Sequence, residues 1–276
     1  MTFVGIDLAA DAKRTGLAVL REGAGSVVVD HVRVGATDVD LIDAIQVAAR
    51  AGVDVPFGWP AGFVDTIQAH ARGTLEAPTS TGSEWRRNLA LRATDKAVHQ
   101  RTGLTPLSVS TDRIAYPALR WAGIEASLRD MGTEMARDGA GVVCEVYPAA
   151  ALKLWGLPYR GYKGTKNSTQ RAALVDVLSE RLSWLQWNGY RDVCAADDNA
   201  LDAVIAALVV REVERGRCEP PPTELANIAK REGWIWLPGG EPASPARPTS
   251  AATSPTECCR PARAEQPRPA STPRSR

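Results

Sequence analysis

The sequence predicts an α/β fold built on a mixed sheet, and three observations support this prediction. Three segments rich in apolar and β-branched residues follow one another between residues 2 and 34, separated by short turns. One amphipathic segment comes next, and it leads to a fourth apolar segment. Short connections favour antiparallel hairpins, whereas a helical crossover joins parallel strands. We therefore expect a sheet that contains both kinds of pairing.

The first half of the sheet can be placed along the chain. The first four strands are predicted at residues 2–9, 15–21, 26–34 and 53–56. Thr37 suits the N-cap of the helix between the third and fourth strands, because acidic residues follow it and an apolar stripe includes Leu41 and Ile45. Three antiparallel strands, a helix and a fourth strand parallel to the first are the opening of the ribonuclease H-like fold. This order predicts that fold.

The segment before the fifth strand is unusually long. Residues 57–141 exceed the single helix that would normally connect the fourth and fifth strands, so we predict a helical insertion, or cap, with helices near 94–100 and 112–131. The fifth strand is predicted at 142–147. Later helices are predicted at 148–155, 168–182, 197–215 and 223–232, with an extended segment at 234–237. The expected domain of residues 1–240 is a mixed five-stranded sheet, its first three strands antiparallel, flanked by helices.

Composition is that of an ordinary globular protein, with 44% hydrophobic and 24% charged residues. The net charge of +1 is uneven, because residues 241–276 carry six Arg and three Glu and leave the preceding residues at −2. A nearly neutral body argues against a broad electrostatic grip on long duplexes. The tail also contains eight prolines among 36 residues, and we predict that it is disordered.

Several classes of protein are disfavoured by the sequence. No stretch approaches the ~18 apolar residues that a membrane helix needs, and the first residues lack the basic segment of a signal peptide. The five cysteines form no Cys-x-x-Cys pair, and three scattered histidines argue against a structural zinc site. Free thiols are typical of a reducing compartment. We therefore expect a cytoplasmic protein without a membrane partner.

Acidic residues on predicted core elements are the candidates for chemistry. Asp7 lies in the first strand, Asp54 ends the fourth, and Glu145 lies in the fifth. Asp198 and Asp202 are four residues apart on one face of a late helix. A buried carboxylate without a partner costs several kcal/mol, and clustered carboxylates attract hard cations such as Mg²⁺ or Mn²⁺. We therefore predict Asp7, Asp54, Glu145 and Asp202 as catalytic metal ligands, with Asp198 in reserve.

Each acidic residue also has a structural alternative. Asp7 can cap a neighbouring turn, and Asp54 can bond the backbone of the proline-rich turn after it. Glu145 can pair with an arginine of the insertion. Asp198 can simply favour the N-terminus of its helix, and Asp202 can lie on a solvated helix face. Their coincidence on elements that one fold brings together favours the metal site.

Six motifs along the chain carry a family resemblance. They are Gly5-Ile6-Asp7-Leu8-Ala9 with Thr15-Gly16; Val53-Asp54-Val55-Pro56-Phe57-Gly58-Trp59-Pro60; Arg92-Ala93-Thr94-Asp95; Cys144-Glu145-Val146-Tyr147-Pro148; Asp197-Asp198-Asn199-Ala200-Leu201-Asp202-Ala203; and Glu232-Gly233-Trp234-Ile235-Trp236-Leu237-Pro238. Together they resemble the domain-of-unknown-function family 429, described as predicted ribonuclease H-like nucleases. The resemblance covers residues 5–238. It implies the ribonuclease H-like fold and suggests metal-dependent hydrolysis of phosphodiester bonds.

Six charged residues in or near these motifs are candidates for substrate binding. The candidates are Arg92, Asp95, Arg113, Arg160, Lys163 and Lys166. The loop of residues 159–166 alternates cations, aromatic residues and glycines, a pattern suited to phosphates and stacked bases. It can equally be a solvated basic turn, and Asp112 can form an internal ion pair with Arg113.

These observations predict a Mg²⁺- or Mn²⁺-dependent nuclease that acts on a nucleic acid or nucleotide substrate. One alternative is a protein of the same fold that binds nucleotides or nucleic acids without turning them over. The other is an actin-like phosphotransferase, which also begins with a Gly-Ile-Asp strand. That class needs a second Asp-Gly phosphate hairpin and an adenosine-binding glycine pair, and the sequence contains neither.

Overall fold

The computed structural model describes residues 1–110 and 112–246, and for Asp112 it describes the backbone only. The strands of these residues are β1 (Thr2–Asp7), β2 (Gly16–Glu22), β3 (Val27–Val34), β4 (Arg50–Asp54), β5 (Val143–Glu145), β6 (Leu185–Gln186), β7 (Cys218–Glu219) and β8 (Leu237–Pro238). The α-helices are α1 (Asp38–Gln46), α2 (Ala61–Ala71), α3 (Ser83–Ala90), α4 (Ala93–Thr102), α5 (Asp112–Asp130), α6 (Pro148–Leu154), α7 (Ser168–Arg181), α8 (Arg191–Ala196), α9 (Asp198–Glu214) and α10 (Ala226–Glu232). Among the described helices, none has the length and apolar character that a membrane span requires.

The main sheet has six strands in the order β5-β4-β1-β2-β3-β6. Strands β1, β2 and β3 pair antiparallel, whereas β1–β4, β4–β5 and β3–β6 pair parallel. The prediction of a mixed α/β sheet with three antiparallel strands first is confirmed. The structure adds β6, whose two residues are too few to show a periodic pattern. Strand β4 also begins at Arg50, three residues earlier than predicted.

Helices cover both faces of this sheet. On one face α9, α7 and α6 pack on side chains such as Phe3, Leu20 and Val146. On the other face α1 and α5 pack on Val4, Ile6 and Val53. Helix α9 is buried continuously from Ala200 to Val213, as expected for a helix enclosed by its neighbours on all sides. The sheet therefore has two hydrophobic cores, and α9 lies at the centre of one.

Glycines on the sheet allow α9 to approach the strands closely. A Cβ atom at Gly5 would lie 1.9 Å from the carbonyl oxygen of Ala203, and one at Gly16 would lie 2.1 Å from that of Asn199. Real Cβ contacts are not this short, so only glycine fits at these positions. The first turns of α9 consequently lie directly above the end of β1.

Four helices, α2 to α5, occupy the chain between β4 and β5. The predicted helices near 94–100 and 112–131 correspond to α4 and α5, whereas α2 and α3 were not predicted. Helix α5 packs on the sheet, and its Trp121 stacks on Phe57 with ring centroids 4.8 Å apart. Arg120 of α5 donates hydrogen bonds to the carbonyl of Ala9 (2.8 Å) and the hydroxyl of Thr15 (2.6 Å). This segment is thereby attached to the hairpin that follows β1.

The C-terminal part of the described chain packs beside β5. Ile235, in the predicted extended segment, forms a parallel bridge with Glu145, and β8 pairs with β7. At the start of the predicted tail, Glu241 forms an ion pair of 2.8 Å with Arg181. The rest of the predicted disordered tail, residues 247–276, lies outside the described residues.

Candidate metal centre

Three carboxylates meet at the end of the sheet. Asp7 and Asp54 are the last residues of β1 and β4, and the parallel register places them directly opposite each other. Asp202 lies in the second turn of α9, which the glycines bring onto the same face. Each residue offers an oxygen, and these oxygens all lie within 4.8 Å of one another. We call Asp7, Asp54 and Asp202 the carboxylate triad.

The surroundings of the triad disfavour its charged form. Burial, followed by repulsion from Asp202, raises the pKa of Asp7 well above its ordinary value. Burial also raises the pKa of Asp54 to about 7. Neither carboxylate accepts a hydrogen bond from the described part of the chain. Three hard oxygen donors without enough N–H or O–H partners fit a divalent cation such as Mg²⁺ or Mn²⁺.

Asp202 differs from the other two because it has two partners. The buried hydroxyl of Tyr162 donates a hydrogen bond to Oδ1 of Asp202 (2.8 Å), and Nζ of Lys163 lies 2.6 Å from Oδ2. Burial and the charge of Asp202 raise the pKa of the Tyr162 hydroxyl. The same carboxylate raises the pKa of Lys163, so Lys163 remains a cation. One ammonium group therefore already belongs to the site.

The loop that carries Lys163 is held by a buried arginine. Arg171 of α7 donates to the carbonyls of Tyr162 (2.9 Å) and Gly164 (3.1 Å), on either side of Lys163. It also donates to the carbonyl of Ala195 (3.0 Å) at the end of α8. These bonds fix the backbone of Lys163 relative to the start of α9.

The side chain of Glu145 lies on the face of the sheet opposite to the carboxylate triad. Its neighbour Cys144 belongs to the core beneath α9, whereas Val143 belongs to the other core. Side chains alternate along a strand, so Glu145 shares the face of Val143 and points away from α9. Its oxygens accept from Nη1 and Nη2 of Arg92 at 2.8 and 2.7 Å. The structure therefore shows the alternative in which Glu145 pairs with an arginine between β4 and β5.

Arg92 has no N–H group left for a substrate. Its five N–H hydrogens are matched by five hydrogen bonds: two to Asp95, two to Glu145 and one to the carbonyl of Glu232. Arg92 and Asp95 are each 1% exposed, although Arg92 and Glu145 border the cavity described below. The carboxylate of Glu232 accepts from the backbone N–H groups of Ala61 and Ala93, each at 2.7 Å. These residues form a buried structural network, not a phosphate-binding surface.

Asp198 stands beside the triad without joining it. It is the first residue of α9, and its Oδ1 lies 3.6 Å from Nη1 of Arg171. Asp197 is the N-cap and accepts from the backbone N–H of Asn199. The charge of Asp198 is close enough to raise the pKa of Asp7 further. Its position is that of a helix N-terminal residue paired with an arginine.

Asp7 and Asp54 of the triad line a cavity of about 570 Å³, and Asp202 is fully buried beside them. Lining residues include Asp7, Asp54, Leu104, Pro106, Leu107, Ile114, Pro117, Tyr147, Tyr159, Arg160, Tyr162 and Lys163. The ring of Tyr159 lies 5.0 Å from Nζ of Lys153 and 5.2 Å from the guanidinium carbon of Arg160. Arg113 and Lys166, also predicted to bind substrate, are exposed and are not among the lining residues identified in the described chain. The cavity thus combines the carboxylates of Asp7 and Asp54 with apolar walls and with the cations Arg160 and Lys163.

Sequence reasoning assigned no site role to Arg171, and it placed Tyr162 in the predicted phosphate- and base-binding loop of residues 159–166 without predicting its bond to Asp202. A signal for Arg171 exists, because it occupies the buried stripe of α7 that continues with Leu174, Val175 and Leu178. An arginine at such a position must find buried acceptors. For Tyr162, the bond to Asp202 depends on a contact 40 residues away.

Comparison with known families places the chain in one of them. A family model described as protein of unknown function (DUF429) matches residues 5–226, which is most of the chain, and the chain belongs to that family. No curated protein and no solved structure matches it. The resemblance seen in the sequence motifs is confirmed at the level of the family.

Proposed function

We propose that this member of the DUF429 family is a metal-dependent nuclease that hydrolyses phosphodiester bonds. Asp7, Asp54 and Asp202 would hold Mg²⁺ or Mn²⁺. The observation that carries the proposal is the triad itself: three oxygens lie within 4.8 Å of one another, and two of the carboxylates, Asp7 and Asp54, line a cavity and accept no hydrogen bond in the described chain. Such a cluster is stabilised by a cation or by protons.

The topology supports the same proposal. The five predicted strands are adjacent in the order β5-β4-β1-β2-β3, with β1 between β2 and β4. This is the arrangement expected of a ribonuclease H-like sheet, and it brings the ends of β1 and β4 beneath α9. We take α2 to α5 as the helical insertion, because α5 and the segment after α4 supply one wall of the cavity.

The chemistry divides between the ion and the chain. A divalent ion at the triad would polarise a phosphoryl oxygen and lower the pKa of a water molecule. Arg160 and Lys163 supply positive charge for the phosphate, and the apolar wall around Leu104 and Pro106 can contact a sugar or base. In hydrolysis the water oxygen bonds to phosphorus, the ester P–O bond breaks, and a proton from the water goes to the leaving oxygen.

Calorimetric titration with Mn²⁺ and Mg²⁺, run beside cleavage of single- and double-stranded DNA and RNA, tests this proposal. We expect Asp7→Asn to abolish divalent-ion binding and to lower cleavage at least a hundredfold. Asp192→Asn is the matched control, because the Asp192 side chain is 96% exposed and lies outside the triad. It should bind metal and cleave like the wild type.

The same experiment separates two other outcomes. Wild-type protein that binds no divalent ion, even with oligonucleotide present, would refute the metal centre. Metal binding that is lost in Asp7→Asn, with no cleavage of any substrate, would instead indicate a protein that binds nucleotides or nucleic acids without turnover.

A further inference from the structure

We infer that Lys163 is the second cation of this centre, so that the site takes one divalent ion and uses the lysine ammonium group in place of another. The inference rests on the proposed metal site. It adds a catalytic residue and an ion count to that proposal. Two-ion centres clamp the attacking and leaving oxygens of a phosphodiester with a pair of metals. Here one of the two positive charges comes from the chain.

The number of carboxylates that are not paired with an arginine supports the binding of a single ion. Two further acidic residues approach the site, but each is already paired with a buried arginine: Glu145 with Arg92, and Asp198 with Arg171. Among the described residues, the triad is the remaining carboxylate cluster that could hold added cations. Its three negative charges are balanced by one divalent ion together with Lys163. A second divalent ion beside Lys163 would leave two uncompensated positive charges in a largely buried site, which is costly.

The loop geometry supports a lysine that stays in place when a metal binds. Arg171 holds the carbonyls on both sides of Lys163, and Tyr162 is bonded through its hydroxyl to Asp202. Gly161 and Gly164 adopt φ values of 77° and 86°, a left-handed conformation that favours glycine. The backbone of Lys163 is therefore anchored beside Asp202, which keeps the ammonium group within reach of the triad.

Lys163 also has the exposure that a catalytic residue needs. Its side chain is 49% exposed, and the residue lines the cavity while its Nζ lies 2.6 Å from Asp202. An ammonium group has three N–H donors, so the contact with Asp202 leaves others for a phosphate. Lys163 would hold a phosphate oxygen as the P–O ester bond breaks, and it keeps its own protons throughout.

Counting Mn²⁺ ions per chain by calorimetry and by electron paramagnetic resonance tests this role. The wild type should bind one ion. Lys163→Met should bind two at saturation, because the second cation position is then vacant, and its kcat should fall about a hundredfold or more. Lys166→Met is the matched control, since it removes the same charge three residues along the loop and should leave the count at one.

Lys163→Gln provides a second variant, and thermal melting shows whether each variant is folded. Two ions in the wild type, the same count in wild type and folded Lys163 variants, or loss of binding in those variants would each overturn the inference. A wild type that binds no Mn²⁺ overturns the metal centre and the lysine role together. A count that changes from one to two without cleavage of any nucleic acid supports Lys163 as the second cation of the centre, but it refutes the nuclease and the catalytic role of Lys163.

Discussion

Replacement of Arg92 tests whether the buried network is structural. In Arg92→Met an uncharged side chain of similar length takes the place of a guanidinium group that makes five hydrogen bonds. The carboxylates of Asp95 and Glu145, 1% and 2% exposed, then remain without their shared cation. We expect the variant to be strongly destabilised and to lose catalysis only in proportion to unfolding.

The expected magnitude follows from the burial of this network. Removal of one partner from a buried ion pair costs about 3–5 kcal/mol, mainly because the other charge stays buried and uncompensated. For a domain of this size each kcal/mol lowers Tm by about 2–4 °C. Arg92→Met should therefore melt roughly 6–20 °C below the wild type.

Thermal and urea unfolding of the metal-free protein measure this difference. Arg101→Met, on helix α4, is the matched control, because its ion pair with Glu219 is exposed and should contribute at most about 1 kcal/mol. The structural interpretation of Arg92 fails if Arg92→Met is as stable as Arg101→Met. A stable Arg92→Met with a raised KM would instead restore Arg92 as a substrate-binding residue.

Three further predictions follow from the same contacts. Burial raises the pKa of Asp54 to about 7, so over this pH range the folded protein keeps a proton that the unfolded chain releases. The free energy of unfolding of the metal-free protein should therefore fall as the pH rises from about 4 to about 7. Asp54→Asn should flatten that part of the profile of unfolding free energy against pH. Gly5→Ala forces a Cβ onto α9 and should cost at least about 1–3 kcal/mol in urea unfolding, whereas Gly23→Ala meets no atom within 4 Å and should change stability little. Arg171→Met removes the hydrogen bonds that hold the backbone on both sides of Lys163, so kcat should fall although Lys163 itself is unchanged. An unchanged kcat in the folded variant would exclude a positioning role for Arg171.

Much of the sheet can be predicted because its signals are local. The strands around Asp7 are continuous apolar runs separated by short turns, and both features favour hairpins without knowledge of the rest of the chain. Strand β6 has two residues and depends on a neighbouring strand for its existence, so no local signal marks it. Helices α2 and α3 are also hard to predict, since the first has one buried residue and the second has none.

Local sequence patterns predict only part of the candidate site. Gly5 and Asp7 are two residues apart, so a helix that packs on the glycine also faces the aspartate, and both positions can be read from the sequence. For Glu145 the sequence gives a strand but not its register against β4, and a shift of one residue moves the side chain to the other face. The arginine that pairs with Glu145 lies 53 residues earlier, in a helical segment with its own packing. Glu145 therefore has the residue type and the strand position of a metal ligand, but its face and partner make it a structural residue, and this distinction requires the three-dimensional contacts.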